Sequence, residues 1–167
     1  MSSRIVYEMF ARIACLVLLT AAWLISADTY NGPVPPKPDV PYILHADRLV
    51  ETESAQARED NHKGDTTFVI SGAASPARTP LAEPIFILQP KSTSAERYEM
   101  YKMEVKNGNR EITMSQKRRR NGPRPIHIMV TRLSGGLYKI EADEPLENGE
   151  YSLSPSDSNR AFCFEVY

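Results

Sequence analysis

The chain has 167 residues, 41% hydrophobic and 25% charged, with a formal net charge of −1 and two cysteines. Cys15 lies in an N-terminal apolar run, so Cys163 is the body's one cysteine and an intramolecular disulfide is excluded there. Past that run about 140 residues remain, enough for one domain with a sizeable core but hardly for two.

Arg4 and Arg12 flank a short polar start, residues 13–25 are apolar except for Thr20, and Ser26 and Ala27 precede Asp28. This is the pattern of a secretory signal peptide, whose apolar region needs about 7–15 residues where a spanning helix needs about 20. The rival reading is an uncleaved anchor, extended through Met9, Phe10 and Ala11 with Arg12 reaching back to the headgroups. Residues 1–27 are thus expected to be a signal peptide or membrane anchor helix. Either way the body is exported: periplasmic, secreted or anchored facing outward. A lipoprotein signal does not fit, because Cys15 opens the apolar run instead of closing it.

Residues 28–41 form a Pro-rich linker, with five prolines in 31–41 that fix φ and remove amide donors. Such a stretch favours polyproline II and suits a stiff spacer holding the body clear of the membrane or cleavage site.

Residues 42–167 read in the period of strands. Residues 41–50, 66–70 and 84–88 are short apolar or β-branched runs bounded by turn residues. The polar stretch 51–65 has no apolar stripe at a spacing of three or four, which favours a hairpin excursion over a packed helix. Tyr101, Met103 and Val105 alternate with charged residues, Asn107-Gly108 supplies a tight turn, and Ile112 and Met114 resume the alternation: a hairpin. Ile126, Ile128 and Val130 pair in the same way with Tyr138, Ile140 and Ala142 across Ser134-Gly135-Gly136. Residues 150–154 make another strand. Residues 161–167 close the chain with apolar residues on both faces, which suits a central position. Seven or eight short strands at this spacing predict an all-β, antiparallel, Ig-like β-sandwich, with an open barrel second.

The segment from Gly136-Leu137-Tyr138 through Leu146-Glu147-Asn148-Gly149-Glu150-Tyr151-Ser152-Leu153 to Phe162-Cys163-Phe164 resembles the C-terminal strands of exported bacterial β-sandwich proteins of unknown function. The resemblance implies fold and export, not an activity. Tyr151 is expected to tie its turn to the strand through its hydroxyl. Cys163, between two phenylalanines, is expected to be a small buried apolar residue.

No Gly-x-Ser-x-Gly, His-Glu-x-x-His, Cys-x-x-Cys, Gly-x-x-x-x-Gly-Lys or Asp-rich calcium loop occurs in the sequence, so no cofactor or metal is expected. His45 and Asp47, two apart on an expected strand, would share a face and are the best candidates for acid/base work or metal ligation. Charge is unevenly spread. Residues 106–132 hold eight basic residues against Glu111 alone, and residues 141–167 hold seven acids against Arg160 alone. Lys117, Arg118, Arg119 and Arg120, with Arg124 close behind, form a loop between strands suited to an anionic surface. Export directs that loop to an anionic envelope component or an acidic protein and away from nucleic acid. The expectation is an exported, non-catalytic binding or structural module of the cell envelope that meets the membrane only through its N-terminal segment. The alternative is a small secreted hydrolase or metal-dependent enzyme using His45 and Asp47.

Overall fold

A computed structural model describes residues 29–62, 64–115, 123–156 and 158–167. The expected leader at 1–27 lies outside the described residues.

In chain order the strands are β1 (Tyr42–His45), β2 (Arg48–Glu51), β3 (Glu53–Gln56), β4 (Arg58–His62), β5 (Asp65–Ser71), β6 (Arg78–Thr79), β7 (Ile85–Leu88), β8 (Tyr98–Lys106), β9 (Asn109–Ser115), β10 (Ile128–Arg132), β11 (Tyr138–Ala142), β12 (Gly149–Pro155) and β13 (Arg160–Val166). Among the described residues helix is confined to two single 3-10 turns, Ala95–Arg97 and Ser134–Gly136. The protein is all-β, in two antiparallel sheets; the short pairing of β6 with β13 is parallel.

The turns follow their residues. Lys106 pairs with Asn109, and the two residues between them, Asn107 and Gly108, have φ of 51° and 75°, the doubly positive pattern of a two-residue hairpin turn. The β10–β11 hairpin closes through Gly135 and Gly136 with Val130 opposite Ile140. Residues 41–50, read as one run, split into the β1–β2 hairpin, because Ala46 takes φ 53° and starts a turn in mid-run. The polar excursion 51–65 runs from the end of β2 through β3 and β4 to the start of β5, and none of its described residues is helical.

The smaller sheet runs β10-β11-β7-β1-β2 and the larger β3-β13-β12-β8-β9-β5-β4. Between them lies the main core, where Phe86, Ile43 and Ile140 meet Met100, Tyr151, Leu153, Phe162 and Phe164. The Phe86 ring stands edge-on to Phe164 at 4.9 Å between centroids, and Tyr151 stacks on Phe164 at 5.5 Å. Burying side chains of this size contributes about 1.5–3 kcal/mol each. The Tyr151 hydroxyl donates to the Glu147 carbonyl at 2.7 Å, the expected corner tie.

Larger-sheet closure follows from chain continuity. β3 and β4 stand at opposite ends of the strand order, yet they are one run interrupted only by Ala57. The first half pairs with β13, the second with β5. β8 bends likewise, pairing with β12 over Tyr98–Met103 and with β9 over Glu104–Lys106. Strands that pass from one pairing to another turn the corners of a sheet curled on itself. Its inside holds a second cluster, Ala57, Ile70, Met103, Ile112, Ala161 and Cys163, drawn from strands all around the order. β13 is therefore central and covered on both faces, as its composition requires.

The Pro-rich segment, expected to be a stiff spacer between body and membrane or cleavage site, is docked on the body from Tyr30 onward. Tyr30 packs with Ile87, Leu133 and Leu137 on the outer side of the smaller sheet, and its amide donates to Ser134 Oγ at 3.0 Å. Asp39 is buried, and its carboxylate accepts the amides of Lys91 and Ser92 at 2.6 and 3.0 Å. Burial alone would raise the Asp39 carboxyl, but these hydrogen bonds hold it below its usual value. The segment turns at residues 38–39, where Asp39 takes φ 59°, and the polar anchors of Tyr30 and Asp39 fasten it down.

Candidate ligand groove

The curled sheet is sealed at one end and open at the other. At the sealed end Arg110 is fully buried. On β9 it shares a face with Ile112 and Met114 by the period of two, so its side chain enters the interior. Its guanidinium grips Glu53 of β3 with two bonds, 2.5 and 2.9 Å, and donates to the carbonyls of Gly72 and Ser71 at 3.0 and 3.1 Å. Glu150 of β12 stands 3.8 Å from the same guanidinium and accepts the Ser75 amide at 3.0 Å. Burial would raise the Glu53 carboxyl, but the Arg110 fork holds it low. Glu150 is pushed up by burial, because the fork is already spent on Glu53 and the Ser75 amide and distant guanidinium do not offset desolvation. Cys163 lies in the same interior, its thiol pushed up to about 12 by burial, and behaves as a small apolar residue rather than a nucleophile.

The open end is a groove of about 450 Å³, inside the roughly 300–1,000 Å³ range of small-molecule sites. Its floor is apolar, from Ala57, Ile70, Met103, Ile112 and Ala161. Phe68, Tyr101 and Met114, half-buried, form its walls. The rim carries Glu59, Glu99, Arg160, Asn159 and serines of the β12–β13 connection. The Tyr101 hydroxyl donates to Glu99 at 2.9 Å; burial, reinforced by that carboxylate, pushes the phenol up to about 12, so it stays a neutral donor. The groove exists because β12 and β13 turn small residues to this side, Ser152, Ser154 and Ala161, while their rings point the other way.

No protein-family model, curated protein or solved structure matches this chain.

The residues singled out in the sequence fall elsewhere. His45 ends β1 and its Nε2 lies 2.9 Å from Thr79 Oγ1, whereas Asp47 sits exposed in the β1–β2 turn. The premise that the two share a strand face does not hold, because the turn begins at Ala46. His127 Nδ1 and Asp143 Oδ2 are 3.1 Å apart on an exposed surface. Among the described residues no three His, Cys, Asp or Glu side chains gather as a metal site. Lys117, Arg118, Arg119 and Arg120 lie outside the described residues. Arg124 is described, exposed and engaged with a partner. Arg110, counted with the basic stretch, belongs instead to the interior.

Glu59, Phe68, Glu99 and Tyr101 were not singled out in the sequence. The available signal was β8, where Tyr98 and Met100 are apolar on one face and Tyr101 and Met103 on the other, a strand with two apolar faces and hence two cavities to serve.

Proposed function

We propose that this chain is an exported, non-catalytic binding module of the cell envelope whose ligand seat is the open end of the curled sheet. The observation that carries this reading is the groove, an apolar floor with aromatic walls and a polar rim, the composition typical of sites for small organic molecules. Export rests on the N-terminal pattern of residues 1–27, and the likeness of the C-terminal strands to exported bacterial β-sandwich proteins supports the same reading. Two antiparallel sheets facing one core and the Tyr151 tie support an Ig-like layering as part of the same reading. A second contact, through Lys117, Arg118, Arg119, Arg120 and Arg124 to an anionic envelope component, is supported by the run of charge. The enzymatic alternative is less favoured, since His45 and Asp47 do not share a face.

The test is titration of the protein with the neutral fluorophore N-phenyl-1-naphthylamine, beside Ser154→Trp. Ser154 lies opposite Glu99 in the β8–β12 ladder and faces the groove, so tryptophan there fills the mouth without touching the main core. Saturable fluorescence enhancement in the wild type that Ser154→Trp abolishes at unchanged melting temperature is the expected result. Equal enhancement in both proteins would show that the fluorophore binds elsewhere.

A further inference from the structure

Building on the reading of the groove as a ligand seat, we infer that its ligand is an amphipathic organic cation, a compact aromatic or branched aliphatic body carrying a protonated amine. The floor of Ile70, Met103 and Ile112 is apolar, so the inserted part of the ligand must be apolar too. The rim decides the head group, and strand register decides which rim charges face inward.

Glu59 stands directly opposite Phe68 in the β4–β5 ladder and shares its face. Glu99 is two residues from Tyr101 on β8 and opposite Ser154, so it shares theirs. Both carboxylates therefore lie on the groove side, each beside an aromatic wall. Arg160 is two residues before Phe162 and lies on the opposite face; its guanidinium sits 5.1 Å from the centroid of that ring. Its charge is thus held over Phe162, on the face away from the groove. Arg97 meets the rim at Ser156, where its Nε donates to Oγ at 3.3 Å.

Among the described residues the mouth accordingly presents two inward carboxylates and two aromatic surfaces. A cation gains from both, from the face of Tyr101 or Phe68 and from charge-assisted hydrogen bonds to carboxylate. Tyr101 uses one lone pair of Glu99 and holds that carboxylate in place, leaving others for an ammonium N–H. A carboxylate or phosphate head would meet like charge at either carboxylate.

The test is calorimetric titration of the full chain with three ligands that share one body: 2-naphthylmethylamine, 2-naphthylmethanol and 2-naphthoic acid. The amine should bind about tenfold more tightly than the alcohol, and the acid most weakly, the size expected from one partly exposed ion pair with cation–π support. Added salt should weaken the amine and leave the alcohol unchanged. Glu59→Gln with Glu99→Gln, both at exposed positions, should bring the amine to within about twofold of the alcohol at unchanged melting temperature. The wild-type salt series gives the same answer if that variant folds poorly. Equal binding of amine and alcohol, or tightest binding of the acid, would overturn the cation inference while leaving the groove a ligand seat. Failure of all three ligands and of N-phenyl-1-naphthylamine to bind would remove the seat itself, and the inference with it.

Discussion

Strands β8, β12 and β13 have two faces furnished in opposite ways. Toward the smaller sheet they present Tyr98, Met100, Tyr151, Leu153, Phe162 and Phe164, whose rings fill the space between the layers. Toward the inside of the curled sheet they present Tyr101, Met103, Ser152, Ser154, Ala161 and Cys163, and about 450 Å³ stays open at one end. The same backbone thus serves cohesion on one side and access on the other. A groove whose floor strands are packed from behind has its lining held in place, which is what a selective site needs.

The two ends of the interior sharpen the comparison, since one is closed by charge and the other left open. Arg110→Met should have the largest effect. It strips the cation from half-buried Glu53 and buried Glu150 together, and leaving such carboxylates unpaired costs about 3–4 kcal/mol. Equilibrium urea unfolding measures this, and a cost below about 1 kcal/mol would mean that the ion cluster is incidental.

Phe164→Ala comes next, at about 3–4 kcal/mol, because it opens a cavity under both Phe86 and Tyr151. The same denaturation curve checks it. Retained fluorophore binding in the folded fraction would show that the two faces are separable.

Tyr151→Phe removes the hydroxyl bond to the Glu147 carbonyl, together with the hydroxyl's contact to Lys102, and should cost about 0.5–1.5 kcal/mol, read as a lower melting temperature with the fold intact.

Glu150→Gln should have the smallest effect, and its sign depends on pH. The folded carboxyl titrates above its ordinary value of 4.5, so its contribution is most favourable below that value and is lost as pH rises through the raised one. Glutamine cannot ionise, and its amide oxygen can still accept the Ser75 amide. The variant should gain on the wild type as pH rises above about 4.5 and match it below. A gain that instead grew toward acid would place Glu150 in a true ion pair with Arg110.

Much of the strand content was legible because it follows from local rules. Asn107-Gly108 and Gly135-Gly136 dictate their turns, and alternation on either side gives the hairpins and the two-faced β13. What local pattern does not carry is which strand ends meet. The hairpin of residues 58–62 with 65–69 is local, but nothing in residues 53–56 says that they pair with residues 160–163, a long-range choice that creates both the closure and the groove. Arg110 was hidden for a related reason. Its position in the alternation with Ile112 and Met114 points it inward, but a charge in a basic stretch reads as surface until Glu53 and Glu150 are brought to it. The docking of Tyr30 and Asp39 depended likewise on partners far along the chain, Ser134 and Lys91-Ser92.

The division between the two faces is tested most directly by the methionine methyl groups, which report on both without any change of sequence. Met100 and Met103 lie three residues apart on β8, the first in the core between the sheets and the second on the groove floor, and Met114 forms a groove wall. In a methyl NMR titration of methyl-labelled protein with 2-naphthylmethylamine, the Met103 and Met114 signals should shift together and saturate while Met100 stays in place. Shifts at Met100 equal to those at Met103, or none at Met103 and Met114 while the amine binds, would contradict the assignment of cohesion to one face and binding to the other.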